Sequence, residues 1–336
     1  MKSKILFYLL LIIPFSSCTS NKLDIDTSKV ELNLKIDRFE KDLFAINPDF
    51  LAKEIPSLRN KYKFFFELFC GRIIRVGAST DSLLAKNLKG FVTDPQIQQV
   101  YKDCSTQYSD ISDINDPLTK AFQHYKYYFP EKLIPQIVTF ISGFNYSIIY
   151  SDSILGIGLD MYLGESSKYY SQIGFPKYKT MKMRKEFIVA DCMKGWGQST
   201  FEQDNSKKDF LSQIIYSGKM LYFMDAMLPD TPDSIKIGYT SDQLKFCKKN
   251  EAKIWSLFIE KNLLFSTDQS KFAKYINEGP TTNGLPKESP AMLGAWVGWQ
   301  MVKKYMNDNS GMTLKQLMLE HDAQKILTKS KYKPSK

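Results

Sequence analysis

Along residues 30–37 apolar and polar side chains alternate. Val30, Leu32, Leu34 and Ile36 are interleaved with Glu31, Asn33, Lys35 and Asp37, the period-two pattern of a strand buried on one face. The period then lengthens. Residues 53–69, 81–89, 95–108 and 117–128 carry apolar positions at helical spacing, and Pro95 stands where a first helical turn tolerates proline. After Pro135 the pattern shortens again. Residues 137–141 are β-branched and aromatic, while 146–150 and 153–161 flank a turn at Ser151 and Asp152, which predicts a hairpin. Gly156 and Gly158 in its second arm predict a bulge or a close backbone approach.

Beyond the hairpin the chain reads as helices. Residues 183–196 and 208–227 are apolar on nearly every side and must be buried. Thr240 and Gln243 form a capping box that opens the next helix. Another is expected from Ser289 and Pro290 to about Asn307, and a last one from Thr313 to about Leu327. The expected fold class is α+β, predominantly helical, with a small antiparallel sheet packed by helices. Residues 29–134 form a mostly helical first region and 135–336 the α+β region, the two together making one compact unit.

The N-terminus changes the cellular setting. Lys2 and Lys4 precede an apolar run of about eleven residues, followed by Ser16, Ser17 and Cys18. A bilayer-spanning helix needs roughly twenty residues. Residues 1–17 are therefore a secretory signal, and Cys18 at the cleavage point is the lipid-modified residue of a bacterial lipoprotein. Residues 18–28 are polar and read as a tether. The formal charge of +10 becomes +8 when the leader takes Lys2 and Lys4 with it. Export excludes nucleic acid as a partner, leaving either a lysine-rich solvated face or an anionic envelope surface. Cys70, Cys104, Cys192 and Cys247 lack metal-site spacing; a Cys70–Cys104 bridge and four buried thiols are both open readings.

Chemistry-bearing motifs are sparse. The two histidines, His124 and His321, stand far apart, so no HExxH motif can be written, and no nucleophile elbow or Gly-rich phosphate loop is present. Asp191 inside an apolar helix must be paired, protonated or turned to a cavity. Lys219 poses the same problem on the following helix, and a buried Asp191–Lys219 pair would solve both. Arg184 and Glu186 offer another pairing. Asp160, Glu186 and Asp191 are the carboxylates to test for catalysis. Gly294 and Gly298, one helical turn apart beside Trp296 and Trp299, predict close packing with another helix of the same chain. The irregular 279–290 connection is a structural loop that would line a cleft with the hairpin.

Six ordered blocks carry a resemblance: Gly158-Leu-Asp-Met-Tyr-Leu-Gly164, Tyr216-Ser-Gly-Lys-Met-Leu-Tyr222, Leu228-Pro-Asp230, Asn277-Glu-Gly-Pro280, Gly294-Ala-Trp-Val-Gly-Trp-Gln300 and Ser330-Lys-Tyr-Lys-Pro334. With the lipobox cysteine, the whole chain resembles the gliding-motility lipoprotein GldB family of Bacteroidota. That resemblance implies an envelope lipoprotein that works with the gliding and type IX secretion machinery and has no established enzymatic activity; the residues after Cys18, with Asp24 and Asp26 but no dense acidic run, point to the outer membrane facing the periplasm. A more distant similarity is to zincin-like metallopeptidases, in which an edge hairpin precedes a metal-binding helix. On that register Asp191 and Gly195 stand at the two histidine places, Cys192 at that of the catalytic glutamate and Ser217 at that of the third ligand. The implied core is degenerate and binds no metal or other cofactor, leaving Asp160, Glu186, Asp191, Ser217 and Lys219 around a vestigial cleft. An active hydrolase of peptide or cell-wall substrates, and a peptide-binding module using the old cleft, are the alternatives.

Overall fold

A computed structural model describes Leu23, residues 25–204 and residues 206–335; Cys18 and the leader lie outside the described residues. The chain enters through β1 (Ile36–Arg38) and a set of helices, α1 (Phe39–Phe44), α2 (Leu51–Tyr62), α3 (Phe64–Leu68), α4 (Leu84–Thr93), α5 (Pro95–Gln107) and α6 (Ser112–Tyr128). Then come β2 (Gln136–Phe140), β3 (Ile148–Tyr150) and β4 (Ile154–Gly158). The remainder is helical: α7 (Lys168–Ile173), α8 (Lys177–Thr180), α9 (Ile188–Thr200), α10 (Phe210–Met227), α11 (Asp233–Ile237), α12 (Ser241–Glu260), α13 (Gln269–Ile276), α14 (Leu293–Asp308), α15 (Leu314–Leu319) and α16 (Ala323–Ser330).

The expected hairpin forms, but the sheet is mixed rather than antiparallel. Its order is β1-β2-β4-β3; β2 runs parallel to both β1 and β4, and only β3 is antiparallel, to β4. Parallel neighbours need a crossover, and the whole α1–α6 segment supplies it between β1 and β2. The 30–37 alternation persists in burial, with Leu34 and Ile36 inside and Glu31, Asn33 and Lys35 outside, yet only Ile36–Arg38 enters the ladder. Every residue of β4 is buried, as expected for a strand covered on both faces.

Those two coverings make three layers. Val138, Phe140 and Ile154 meet Phe39, Phe65, Phe66, Phe69 and Leu88 on the α1–α4 side. Ile137, Leu155 and Ile157 meet Phe122, Cys192, Met193 and the later helices on the other. Cys70 belongs to the first layer and Cys104 to the second, so the sheet separates them; all four described cysteines are free and buried.

Several helix limits differ from the sequence pattern for local reasons. The 53–69 segment breaks at Lys63, whose φ is 48°. Met292 at φ 56° delays α14 to Leu293. Asp322 caps a new helix, so α15 and α16 are separate, whereas the capping boxes at Thr240–Gln243 and Thr313–Gln316 form as read. Part of the stretch read as tether is packed: Leu23 lies against the main core and Tyr128 Oη donates to its carbonyl (3.4 Å); just beyond the tether, Gln123 Nε2 reaches the Val30 carbonyl (3.1 Å).

The glycines of α14 do what their spacing predicts. A Cβ on Gly298 would lie 1.8 Å from the Ile214 carbonyl oxygen, one on Gly218 would lie 2.3 Å from the Gly298 carbonyl carbon, and one on Gly294 would strike the Ile214 side chain. Helices α10 and α14 therefore touch backbone to backbone inside the molecule.

Candidate functional site

The 151–153 turn sends β4 back beside β3, and the closeness of the two arms requires its glycines. A Cβ on Gly156 would meet Ile149 at 2.4 Å, and one on Gly158 would meet the Tyr146 carbonyl oxygen at 2.0 Å. Leading into β3, the 142–146 turn is organised by Asp160, which is buried at the end of β4. Its Oδ2 accepts the backbone N–H of Ser142 (3.1 Å) and of Phe144 (2.6 Å), and Ser142 Oγ in turn accepts the N–H of Asn145 and of Tyr146. Burial pushes the Asp160 carboxyl up to about 6 against the pull of those backbone bonds. Asp160 is thus a structural anchor of the turn, not a lining group of the cleft.

Beneath β3 runs α9. Gly195 lets the two meet: a Cβ there would be 3.0 Å from the Tyr150 ring and 3.2 Å from Ile148. Where strand and helix diverge, a cavity of about 450 Å³ opens, lined by β3, by α9 at Asp191, Lys194 and Gln198, and by Tyr162, Lys179, Lys182, Glu278 and Met292. Lys182, Phe187, Gly238, Glu278 and Met292 also line a neighbouring cavity of about 250 Å³, which continues past Lys177 and Arg184 to Gly279, Pro280 and Pro290. Hairpin and 279–290 loop thus contribute to adjoining hollows.

Asp191 is the acidic residue of α9 in this cleft. Its Oδ2 accepts the Tyr162 hydroxyl at 2.8 Å. Burial raises its carboxyl above the usual range, with Lys194, Tyr162 and Lys182 pulling the other way. Tyr162 is itself fixed from behind, where its carbonyl accepts the Tyr108 hydroxyl (2.5 Å) and Gln107 Nε2 (3.0 Å). Across the cleft Lys182 pairs with Glu278 at 2.9 Å. Burial opposes ionisation of Glu278, but the Lys182 hydrogen bond and the charges of Lys182, Lys194 and Lys179 outweigh it and hold the carboxyl low.

The Asp191–Lys219 pair does not form. Lys219 points to the other end of the helical layer, where its ammonium caps the end of α15 by donating to the carbonyls of Met318 (3.0 Å) and Glu320 (2.8 Å). Desolvation lowers it to about 8. Ser217 donates to the Gln213 carbonyl one turn back on α10, Cys192 is buried in the core, and Glu186 is exposed. None of Asp160, Glu186, Ser217 and Lys219 lines the Asp191 cavity. Arg184 is engaged with the Met181 carbonyl and the Phe187 ring rather than with Glu186.

Sequence reasoning missed Tyr162, Lys179, Lys182, Lys194 and Glu278. Tyr162 and Glu278 stand within the Gly158–Gly164 and Asn277–Pro280 blocks, which was the available signal. Among the described residues no three His, Cys, Asp or Glu side chains converge as a metal-binding group. Chemically the cleft offers a hydroxyl–carboxyl pair, a neutralised Glu278 and several ammonium groups beside an open strand edge. No curated protein and no solved structure matches the chain. The family model for the gliding motility protein GldB matches residues 20–334, nearly the entire length, and the chain belongs to that family.

Proposed function

We propose that the protein is a non-enzymatic, lipid-anchored component of the gliding and secretion machinery that works through protein–protein contacts. The observation that carries this reading is the family match over residues 20–334, which makes the chain a gliding-motility protein. The make-up of the cleft supports the non-enzymatic part. Beside Asp191 the cleft offers the Tyr162 hydroxyl, a Glu278 carboxylate already paired with Lys182, and lysine ammonium groups; two carboxylates, one of them engaged, fall short of the three protein donors that a catalytic zinc requires. A degenerate zincin-like frame belongs to the same reading, supported by an edge hairpin lying over a helix, with Asp191 and Gly195 on the side toward the cleft. The expected phenotype of a deletion strain is loss of gliding, restored by the intact chain; normal gliding and secretion without the protein would contradict the proposal.

Anchoring at Cys18 holds the body near the bilayer. Leu23 is packed on the fold, and the five residues up to it span at most about 18 Å when extended. No helix among the described residues is long and apolar enough to cross a membrane. Replacing Cys18 with Ser is expected to move the protein from the membrane to the soluble fraction in cell fractionation and to abolish rescue of gliding. Membrane retention of that variant would show that something other than the acyl groups anchors it. We place the anchor on the outer membrane facing the periplasm, because the residues after Cys18 contain Asp24 and Asp26 but no dense acidic run.

A further inference from the structure

The open side of β3 carries a second, more specific reading of the cleft. In an antiparallel pair, alternate residues of a strand exchange hydrogen bonds with the neighbour and the others turn theirs away. The register fixes which do so here. Ile149 stands opposite Gly156, Gly158 N donates to the Ser147 carbonyl (2.8 Å), and Ser151 N donates to the Ile154 carbonyl (2.9 Å). Residues 147, 149 and 151 therefore bond to β4, and Ile148 and Tyr150 direct N–H and C=O outward. β3 is the edge of the sheet, so no further strand among the described residues takes up those four groups. The residues that carry them line the 450 Å³ cavity together with Ser147.

An exposed strand edge is ordinarily blunted by a charge or a proline on the strand itself. This one has neither: its residues are Ile148, Ile149 and Tyr150. Charge sits on the facing walls instead. Lys177, Lys179, Lys182, Arg184 and Lys194 line the two joined cavities against Asp191 and Glu278; Lys236, also lining, is neutralised by Asp225 at 3.0 Å. Lys182 is matched by Glu278, while Lys179 and Lys194 make no ion pair with a described residue. The cleft is thus a cationic trench with a hydrogen-bonding rail along one side.

We propose that this trench binds an extended, acidic segment of an envelope protein, which adds to β3 as a further strand through Ile148 and Tyr150 and sets its carboxylates against Lys179 and Lys194. Main-chain bonds supply the grip and the ammonium groups supply the selection. The 142–146 turn, pinned by Asp160, and the contact of Gly195 with the Tyr150 and Ile148 side chains hold the rail in place before the segment arrives. This deepens the contact role proposed above and rests on it.

The probe is a fluorescein-labelled peptide of about ten residues with alternating Val and Glu, long enough for one strand, titrated by fluorescence anisotropy into the full lipoprotein in detergent micelles. Two further peptides carry N-methyl groups on the Val nitrogens or on the Glu nitrogens, so that each loses the donors of one edge. Binding of the parent peptide, loss with one methylated form and retention with the other are expected. The Lys179→Glu, Lys194→Glu double variant should bind about tenfold more weakly, as two exposed charge contacts become repulsive. No binding by the parent peptide, equal effects of the two methylation sets, or displacement by heparin as readily as by unlabelled peptide would overturn the strand site. Such a result would leave contact through another face standing, because the contact role is tested separately by gliding of an Asp191→Asn strain.

Discussion

Gly298→Ala is expected to destabilise the protein by about 3 kcal/mol or more, a large overpacking penalty, and to yield little folded material. The added methyl carbon would lie 1.8 Å from the Ile214 carbonyl oxygen and 2.5 Å from its carbonyl carbon. Neither is the flexible end of a side chain, so α10 and α14 must separate. That separation reaches Trp296, Trp299, Phe210 and Tyr275, all fully buried in the same core. Gly90→Ala is the control. It lies within α4 with nothing within 4 Å of the added carbon, and alanine there should stabilise by about 0.5–1 kcal/mol through helix propensity alone. Thermal melts of the two variants beside the parent decide the matter; a Gly298→Ala protein that melts with the parent would show that the two helices are not in backbone contact.

The second large effect concerns Asp160. Removing its carboxylate in Asp160→Ala leaves the buried Ser142 N–H and the half-buried Phe144 N–H without their acceptor, at a cost of about 3 kcal/mol. Asp160→Asn keeps an acceptor and should be far milder. The two also separate in their pH dependence. The folded carboxyl titrates near 6 and the unfolded one near 3.8, so between those values the folded state binds more protons and stability rises as pH falls. The melting temperature of the parent should therefore gain on that of Asp160→Asn as pH drops from 7 to 4 (about the unfolded value). A difference that stays flat over this window would mean that Asp160 titrates normally and is not sealed in the turn.

These two residues also show how far the sequence could be read. Gly294 and Gly298 announced their role, because spacing along one helix is a local property and small residues one turn apart have few other uses. The hairpin was legible for the same reason, from the two segments that flank the Ser151–Asp152 turn. Asp191 was singled out by its apolar neighbours, and it does face a cavity. What failed was partner assignment across the chain. Lys219 looked like a match for Asp191 on adjacent helices, but the direction in which a lysine leaves α10 depends on where α15 ends, and the pattern of α10 alone does not contain that. The sheet was misjudged similarly: the pairing of β1 with β2 joins residues about a hundred positions apart, and alternation identifies a strand without naming its neighbour. The cationic trench was invisible because Lys179 and Lys182, Lys194, and Glu278 come from three separate segments, and nothing local to the solvated 177–182 stretch, the apolar helix that carries Lys194 or the 277–280 block says that they meet.

The contrast between Asp160 and Asp191 bears on function. Both are carboxylates in apolar surroundings, and either could pass for a catalytic acid. Asp160 spends its oxygens on backbone amides, whereas Asp191 holds one hydroxyl and faces open space. Asp191 is therefore where hydrolytic chemistry would have to reside, and asparagine at that position still accepts the Tyr162 hydroxyl while removing the acid. Gliding speed of single cells carrying Asp191→Asn as their sole copy, at matched protein level and melting temperature, is the most direct test. Speeds equal to those of the parent strain are predicted for a protein that works by contact; loss of gliding in that strain with the fold intact would contradict the account.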